Sequence, residues 1–386
     1  MASPENRESS CGCRLFGAYR SAISVQDAAL LIHSTPGCNW GTLAFHLPSR
    51  ANDIRQASSV LHEADIVFGG MDALEKGLGH ALELYDAAAI FVLSGCVPEM
   101  MGDDLQAALR RCPSTKPVIL VQSAGFKGDM RSGMIDALRA LIRIMPALDP
   151  DAVRGTAVNI VGCFADDFQS DADLRAIRRL LGPDIPVQAF IPHDTFSRLM
   201  AAPGAALNVV LAGFEEIGAL LADRFGTPFV VVQHPYGLEG SRAFATTVAE
   251  ALGQAPGPHL LRQEARAMSR LKQASGHIQK FYGMPVAFSG DGAREIALGL
   301  FLQRELGMEV EAAGGKPENG RSVMLFGSSF DRGLAEQLGI PLIRVSYPVF
   351  DAIHISDQGY AGFEGAVNLV ETIVNALMST PYRRDR

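Results

Sequence analysis

The stretch AIFVLSGCVPEMMGDDL at residues 89–105 passes from a short apolar run into a glycine–cysteine turn and then into polar sequence. An apolar run of this length is typical of a buried strand in a parallel sheet. Gly95 and Cys96 stand at its carboxyl end, and the proline and acidic residues that follow place Cys96 in a loop rather than on a core face. Because open α/β sheets bind their ligands at that edge, we expect Cys96 to lie at a binding site.

Short apolar runs rich in β-branched residues recur along the chain, with helix-length segments between them. This is the pattern of βαβ units, and it predicts an α/β fold whose parallel sheets are covered by helices on both faces. The runs form three groups, within 65–125, 156–235 and 285–350. In the first group, the strands are predicted at DIVFGG (65–70), AIFVLSGC (89–96) and PVILVQSAG (117–125).

The chain has 386 residues, more than one ordinary core organises, since domains usually hold roughly 100–200 residues. Two segments, PALDPDAVRG and QAPGPHL, have the turn-forming composition of linkers. We therefore predict three domains: 1–150 with the N-terminal cysteine loops, 151–256, and 257–386 with a C-terminal helix.

Composition narrows the class of protein. Hydrophobic residues make up 48% of the chain, charged residues 20%, and the mean hydropathy is +0.13, as in globular proteins with buried sheets. The net charge of −8 argues against a nucleic-acid partner, which normally requires a basic surface. No apolar run is long enough to span a bilayer, and the polar start MASPENRESS lacks a signal core, so no membrane contact and a cytoplasmic location are expected.

Cysteines in glycine-bearing turns are the main chemical signal. In a reducing compartment the six cysteines are not expected to form disulfides, and their spacing does not match a zinc finger or ribbon, which leaves thiols or soft-metal ligands. Cys13, Cys38 and Cys96 are the candidate ligands of an iron–sulfur cluster. Their turns are CRLFGA (13–18), HSTPGC (33–38) and SGCVPEMMGDDL (94–105).

Small residues beside these cysteines fit the same hypothesis. Glycine lets the backbone approach inorganic sulfides and donate N–H hydrogen bonds to them, and Gly17, Gly37 and Gly95 are predicted to give that clearance. His33, in the second turn, is interpreted either as a group that hydrogen-bonds a sulfide or orients the loop, or as a structural histidine.

The other cysteines carry weaker signals. Cys11 is interpreted as an exposed terminal thiol, or else as a spare ligand or redox partner of Cys13, and Cys112, at a helix end, as structural. Cys163, at the end of a predicted strand, is interpreted as a packing residue, with contact to a second cofactor as the alternative.

Searches for other catalytic motifs return little. No GxxxxGK[ST] segment occurs, so nucleotide hydrolysis through a Walker loop is not expected. The pairs Asp103/Asp104 and Asp166/Asp167 are interpreted as solvated charges at helix starts rather than as acid–base pairs.

With these motifs in order, the chain resembles the large component of nitrogenase and of nitrogenase-like reductases, in particular its β-type subunit. The resemblance covers nearly the whole chain. It is carried by CRLFGA (13–18), LIHSTPGC (31–38), SGCVPEMMGDDL (94–105), NVVLAG…RFGTPFVVVQHPYGL (208–238) and LFGSSFDRGLAEQLGIPLIRVSYPVFD…GFEGAVNLVETIVN (325–375).

The resemblance implies three Rossmann-like, doubly wound domains and an αβ or α₂β₂ complex with a paralogous α-type subunit. Cys13, Cys38 and Cys96 fall on the positions that hold a P-type [8Fe-7S] cluster between the subunits in that family, with a [4Fe-4S] cluster as the alternative. A separate homodimeric iron protein would hydrolyse ATP and deliver electrons. The active-site metallocluster would belong to the partner, which leaves no catalytic residue in this chain.

Two departures from the family pattern refine the expectation. The serine that some β-type subunits add as a ligand falls on Gly125, with Ser123 nearby, and no cysteine stands near GLEGSRAF (237–244), where an α-type subunit holds its cofactor. The resemblance therefore implies a β-type electron-relay subunit of a reductase, with carbon–sulfur reduction of methylthio-alkanes as the best guess. The alternatives are a β-type scaffold subunit for nitrogenase cofactor maturation and a tetrapyrrole reductase subunit with a four-iron cluster.

Overall fold

The fold is an α/β assembly built on three four-stranded sheets whose strand pairs are all parallel. A computed structural model describes residues 12–50, 54–148, 154–290, 292–311 and 321–379, without the side chains of 45–50. The predicted fold class is thereby confirmed. Within the described part of the chain, no helix combines the length and apolar character needed to cross a membrane.

The first sheet has the strand order β2-β1-β3-β4. Its two central strands, β1 (Ala28–His33) and β3 (Ala89–Ser94), are buried at every position, as expected for strands covered on both faces. The flanking strands are β2 (Gln56–Ser58) and β4 (Val118–Gln122).

The predicted strand at DIVFGG is wrong. Residues Glu63–Phe68 form a short helix, α3, which begins with a hydrogen bond from the backbone N–H of His62 to the Asp65 carboxylate at 2.9 Å. None of its residues is buried, so its apolar side chains do not belong to a core. Two strands of this sheet, β1 with its AALLIH segment and β2, were not predicted from the sequence.

Helices on both sides of the first sheet hold the cysteine loops. Helices α1 and α7 touch backbone to backbone: a Cβ built on Gly17 would lie 1.7 Å from the carbonyl oxygen of Met130, and one on Gly133 would lie 1.9 Å from that of Arg14. The helices of this part are α1 (Arg14–Ile23), α2 (Pro36–Arg50), α3, α4 (Met71–Leu84), α5 (Cys96–Met101), α6 (Leu105–Arg111) and α7 (Met130–Ile144).

The second sheet has the order β6-β5-β7-β8. Its strands are β5 (Val158–Cys163), β6 (Val187–Pro192), β7 (Leu207–Leu211) and β8 (Phe229–Val232). The helices associated with it are α8 (Ser170–Leu181), α9 (Phe196–Ala201), α10 (Glu215–Phe225) and α11 (Gly237–Ala251).

The third sheet has the order β10-β9-β11-β12. Its strands are β9 (Pro285–Phe288), β10 (Glu309–Val310), β11 (Leu325–Gly327) and β12 (Leu342–Arg344). The remaining helices are α12 (Pro258–Gln273), α13 (Ser275–Ile278), α14 (Ala293–Arg304), α15 (Arg332–Leu338) and α16 (Gly362–Ser379).

The C-terminal helix α16 packs against α8, α11 and α12, so the end of the chain returns to the second sheet. One hydrophobic core joins side chains around the second and third sheets, and another joins the first and second. The boundaries at 150/151 and 256/257 stay predictions.

A buried ion-pair network ties the three sheets together. Arg20 of α1 donates to Asp166 and to Asp167, both at 2.9 Å, and its guanidinium lies 3.8 Å from the ring centre of Tyr347. The interpretation of the Asp166/Asp167 pair as solvated helix-start charges is therefore wrong. Arg20 pulls both carboxylates inward at the carboxyl end of β5. For the other pair, Asp104 does begin a helix, since it accepts the N–H of Ala107 at the start of α6.

Candidate functional site

All four strands of the first sheet run parallel, so their carboxyl ends meet at one edge. Two of the candidate cysteines follow strands directly. Cys38 lies in the first turn of α2, after β1, and Cys96 begins α5, after β3. Cys13 immediately precedes α1 and pairs its backbone with Asp129 in an isolated bridge beyond β4. The strand order thus brings the cysteine loops to one edge of the sheet.

Gly125, which follows β4, brings two of the sulfurs together. A Cβ built on this glycine would lie 2.9 Å from the Sγ of Cys13 and 3.4 Å from the Sγ of Cys96, so both sulfurs border the same small space. The backbone N–H of Gly125 also donates to the Cys96 sulfur at 3.2 Å. Gly125 was not among the site residues predicted from the sequence, where it entered only as the position on which the resemblance puts the serine ligand of some β-type subunits.

Cys38 lies on the helix next to these two cysteines. The ring of Phe16 lies 3.2 Å from the Cβ position of Gly41, so α1 and α2 touch one turn beyond Cys13 and Cys38, respectively. The hydroxyl of Thr35 lies 4.0 Å from the Cys38 sulfur. All three cysteines are free and half-buried.

Glu99 holds the loop that contains Gly125. Its side chain is 2% exposed, and its Oε1 accepts from the Ser94 hydroxyl at 2.5 Å and from the Ala124 N–H at 3.0 Å. Its Oε2 accepts from the Lys127 ammonium at 2.7 Å. One carboxylate therefore joins β3, α5 and the turn after β4. In the sequence, Glu99 stands in the PEMM stretch of the third cysteine turn, where nothing distinguishes it from a solvent-exposed acidic residue.

The three predicted glycines differ in what they contact. Gly17 serves the packing of α1 on α7, as described above. A Cβ on Gly95 would lie 2.2 Å from the Ser34 hydroxyl, so this glycine lets the turns that contain Cys38 and Cys96 approach each other. Gly37 has nothing within 4 Å of its Cβ position among the described residues, which leaves open space beside Cys38. Their contact with a cofactor stays a prediction.

His33 is fully buried at the end of β1. Its Nδ1 is hydrogen-bonded to the Ser59 hydroxyl at 2.8 Å, and its Nε2 has no partner in the described part of the chain. Burial lowers its pKa to about 4, because the charged ring would lose its hydration. The ring is neutral at pH 7 and supports the loop that leads to Cys38. A hydrogen bond from it to a cluster stays a prediction.

The cysteine sulfurs and the backbone N–H beside them suit an iron–sulfur cluster. Among the described residues, no three His, Cys, Asp or Glu side chains converge closely enough to hold one metal ion. Two cysteine sulfurs beside one glycine, with a backbone N–H on one sulfur, match what such a cluster requires of its protein. Gly125, Cys13 and Cys96 thus form the part of the site that the structure brings together most closely.

Large apolar side chains surround the cysteine edge and face solvent. We call this set the apolar rim. Its members are 57–88% exposed, and each lies on the segment that follows a different strand, except for a pair on α3. Exposed apolar surface grouped around polar ligands marks a protein interface. The rim consists of Trp40 on α2, Val67 and Phe68 on α3, Met100 on α5 and Phe126 after β4.

The remaining cysteines lie elsewhere. Cys112 is half-buried at the end of α6. Cys163 is buried at the end of β5, where burial first, and then Asp167 and Asp173, raise the pKa of its thiol. A neutral thiol is a poor metal ligand, so the packing interpretation suits Cys163. Cys11 lies outside the described residues.

A family model described as nitrogenase component 1 type oxidoreductase matches residues 13–323 and 317–378. The chain belongs to this family. The resemblance stated from the cysteine turns is thereby confirmed, and the chain is an oxidoreductase subunit.

Several relatives are β chains or B subunits of family members. The nitrogenase molybdenum–iron protein β chain of Rippkaea orientalis is 23% identical over 95% of this chain and 82% of the relative, and that of Methanococcus maripaludis is 21% identical over 96% and 94%. The B-type component of the light-independent protochlorophyllide reductase of Acidiphilium rubrum is 25% identical over 94% of this chain and 79% of its own length. The chain is thus a nitrogenase-like subunit of β type.

A solved structure shares the fold. The structure described as nitrogenase Cp1 at pH 6.5 superimposes with a TM-score of 0.80 over 97% of this chain and 93% of the solved chain, at 19% identity. This likeness supports three Rossmann-like domains. The family also implies iron–sulfur chemistry, which the cysteine edge of the first sheet suits.

Proposed function

We propose that the chain is the electron-relay β-type subunit of a nitrogenase-like reductase, and that Cys13, Cys38 and Cys96 hold an iron–sulfur cluster at the interface with an α-type partner. The observation that supports this most strongly is the position of Gly125, whose missing side chain leaves the sulfurs of Cys13 and Cys96 beside one space. The cluster, when bound, supplies one-electron transfer. We propose the P-type eight-iron form, with the four-iron form as the alternative.

The residues of this chain act on the cluster through its sulfurs and its surroundings. The thiolates bind iron, and the N–H of Gly125 stabilises negative charge on the Cys96 sulfur. The apolar rim excludes water once a partner covers it, which lowers the local dielectric constant and strengthens that hydrogen bond. No group of this chain is assigned a bond-making role.

The apolar rim is the proposed contact with the α-type subunit in an αβ or α₂β₂ complex. A ring of exposed aromatic and aliphatic side chains around a shared cofactor is what a permanent subunit interface provides. ATP hydrolysis is assigned to a separate homodimeric iron protein, and substrate chemistry to a metallocluster in the α-type partner.

For the substrate, we carry forward the hypothesis of carbon–sulfur reduction of methylthio-alkanes, which rests on the resemblance to nitrogenase-like reductases. Tetrapyrrole reduction is the second candidate. It is favoured by the 25% identity with the B-type component of a protochlorophyllide reductase along 94% of the chain. The two candidates differ in the iron content that we propose for the interface.

The test is to purify the chain with its α-type partner without air and to measure iron, acid-labile sulfide and EPR spectra. About eight interface irons per αβ pair support the P-type proposal, and about four support the tetrapyrrole candidate. An iron-free complex that is active with the iron protein would overturn the proposed relay.

Single replacements assign the ligands. C13A, C38A and C96A should each lower the iron content and weaken subunit pairing, because a bridging cluster couples metal binding to association. The matched control is C112A, which removes a half-buried thiol at the end of α6 and should leave the EPR spectrum unchanged. Iron content that is the same in C38A as in the wild type would remove Cys38 from the ligand set.

A further inference from the structure

We propose that Glu99 is a positioning residue: it fixes the N–H of Gly125 on the sulfur of Cys96 and thereby sets the reduction potential of the cluster. This inference rests on the proposed function, because it concerns the cluster held by that cysteine. Glu99 is not a ligand, but it controls the hydrogen bond that the Cys96 sulfur receives from the Gly125 N–H.

The first argument is the burial and full use of the carboxylate. A carboxylate that is 2% exposed costs free energy unless its oxygens are paired, and both oxygens of Glu99 are paired here. Oε1 accepts from the Ser94 hydroxyl and the Ala124 N–H, and Oε2 accepts from the Lys127 ammonium. Such a carboxylate is held in one orientation, and its hydrogen bonds hold the partner groups in place.

The second argument is where those partners lie. Ala124 directly precedes Gly125, and Lys127 ends the same short turn, whose own N–H at Lys127 donates to the carbonyl of Ala124 at 3.0 Å. Glu99 therefore holds the turn on both sides of Gly125. Glu99 lies on α5, the helix that begins at Cys96, so the donor and the sulfur are fixed relative to one another through one side chain.

The third argument is the effect on potential. A hydrogen bond to a cluster sulfur stabilises the more negative, reduced state, so losing the bond makes the potential more negative. Removing a nearby negative charge has the opposite sign, because the loss of that charge stabilises the reduced state. The two roles that Glu99 can play, positioning and charge, therefore predict shifts in opposite directions.

The experiment is an EPR-monitored redox titration of the complex of this chain with its partner. E99A removes the carboxylate and releases the turn, so the potential should become more negative than in the wild type. E99Q keeps an amide oxygen for Ser94 and Ala124 and should restore the potential to the wild-type value or shift it to a more positive one. A shift of E99A to a more positive potential, or no shift, would overturn the inference.

A second variant tests the same idea without any change of charge. S94A removes the hydroxyl that donates to Oε1 and should also shift the potential to a more negative value, by less than E99A. This variant decides the question if E99A fails to fold or to retain iron, and an unchanged potential in S94A then overturns the inference. E75A is the matched control, since Glu75 pairs with Arg111 on the exposed side of α4 and should leave the potential unchanged.

Failure of this inference is distinguishable from failure of the proposed function. If C96A keeps its full iron content, the ligand assignment itself fails. If C96A loses iron while E99A and S94A titrate at the wild-type potential, the cluster stands where proposed and only the positioning role of Glu99 is rejected.

Discussion

Gly17 and the carbonyl oxygen of Met130 bring helices α1 and α7 into backbone contact, since a Cβ on Gly17 would lie 1.7 Å from that oxygen. Neither helix can yield by rotating a side chain, because the clash would be with backbone. Cys13 stands at the start of α1, so this contact also positions the helix that begins at Cys13. The glycine predicted to give clearance to a cofactor thus acts first on helix packing.

The first prediction concerns this contact. Gly17→Ala should separate α1 from α7 and destabilise the chain by about 3 kcal/mol or more, since overpacking against backbone cannot relax locally. Urea unfolding of the purified chain measures the change. Gly79→Ala is the control, because this glycine lies within α4 with nothing within 4 Å of its Cβ position among the described residues. The control should gain up to about 1 kcal/mol from helix propensity. Equal stability of the two variants would contradict this account.

Much of the fold was predictable because the β-branched apolar runs of parallel strands are strong local signals. The strands at 89–94 and 118–122 lie within predicted segments. The error at DIVFGG has a physical cause: its apolar residues belong to an exposed helix, and a single sequence cannot tell exposed apolar residues from core residues. The buried strand β1 was missed for another reason, because its AALLIH run leads directly into a cysteine turn.

The sequence could predict only those site residues whose own chemistry marks them, such as the cysteines. The strand before the Gly95–Cys96 turn placed Cys96 at a sheet edge, and the structure adds Cys38 there, after β1. Gly125 and Glu99 were missed because their roles arise from contacts between segments far apart in the chain, through a backbone N–H and a buried carboxylate. The burial of Asp166 was missed for the same reason, since its partner Arg20 lies 146 residues away.

The second prediction concerns pH. In the unfolded chain His33 has its ordinary pKa of 6.5, and in the folded chain burial lowers its pKa to about 4. Between these values the unfolded state binds a proton that the folded state does not, so the free energy of unfolding should fall as the pH falls from 6.5 to 4. The loss at pH 4 is on the order of 3 kcal/mol.

His33→Gln should flatten this pH dependence, even though it lowers stability at pH 7 by disturbing the bond to Ser59. Urea unfolding at several pH values gives the slope. His277→Gln, on the exposed short helix α13, is the matched control and should keep the wild-type slope. A wild-type slope in His33→Gln would show that another group carries the effect.

The third prediction concerns the apolar rim. Phe68 is 88% exposed on α3, and if the α-type partner covers it, Phe68→Ser should weaken subunit association by about 2 kcal/mol, or roughly 30-fold in Kd. Titration of this chain into the separately prepared partner measures the change. Leu261→Ser is the control, since Leu261 is 70% exposed on α12, associated with a different sheet, and its loss should not alter association. Equal weakening by both variants would remove the rim from the interface.

The fourth prediction uses two glycines of the cysteine edge that differ in their surroundings. In Gly125→Ala the new methyl group would lie 2.9 Å from both the Cβ and the Sγ of Cys13, so that side chain must move and the iron content should fall. In Gly37→Ala the new methyl group meets nothing within 4 Å among the described residues, so the isolated chain should fold at least as stably as the wild type.

The iron content of the complex with Gly37→Ala then tests whether the cluster occupies the open space beside Gly37. If the predicted clearance at Gly37 serves the cluster, Gly37→Ala should lose iron or change the EPR spectrum even though the isolated chain is not destabilised. If its iron content and spectrum match the wild type, the open space beside Cys38 faces the partner rather than the cluster. Full iron content in Gly125→Ala would be more serious, because it would mean that the gap shared by Cys13 and Cys96 plays no part in holding the metal.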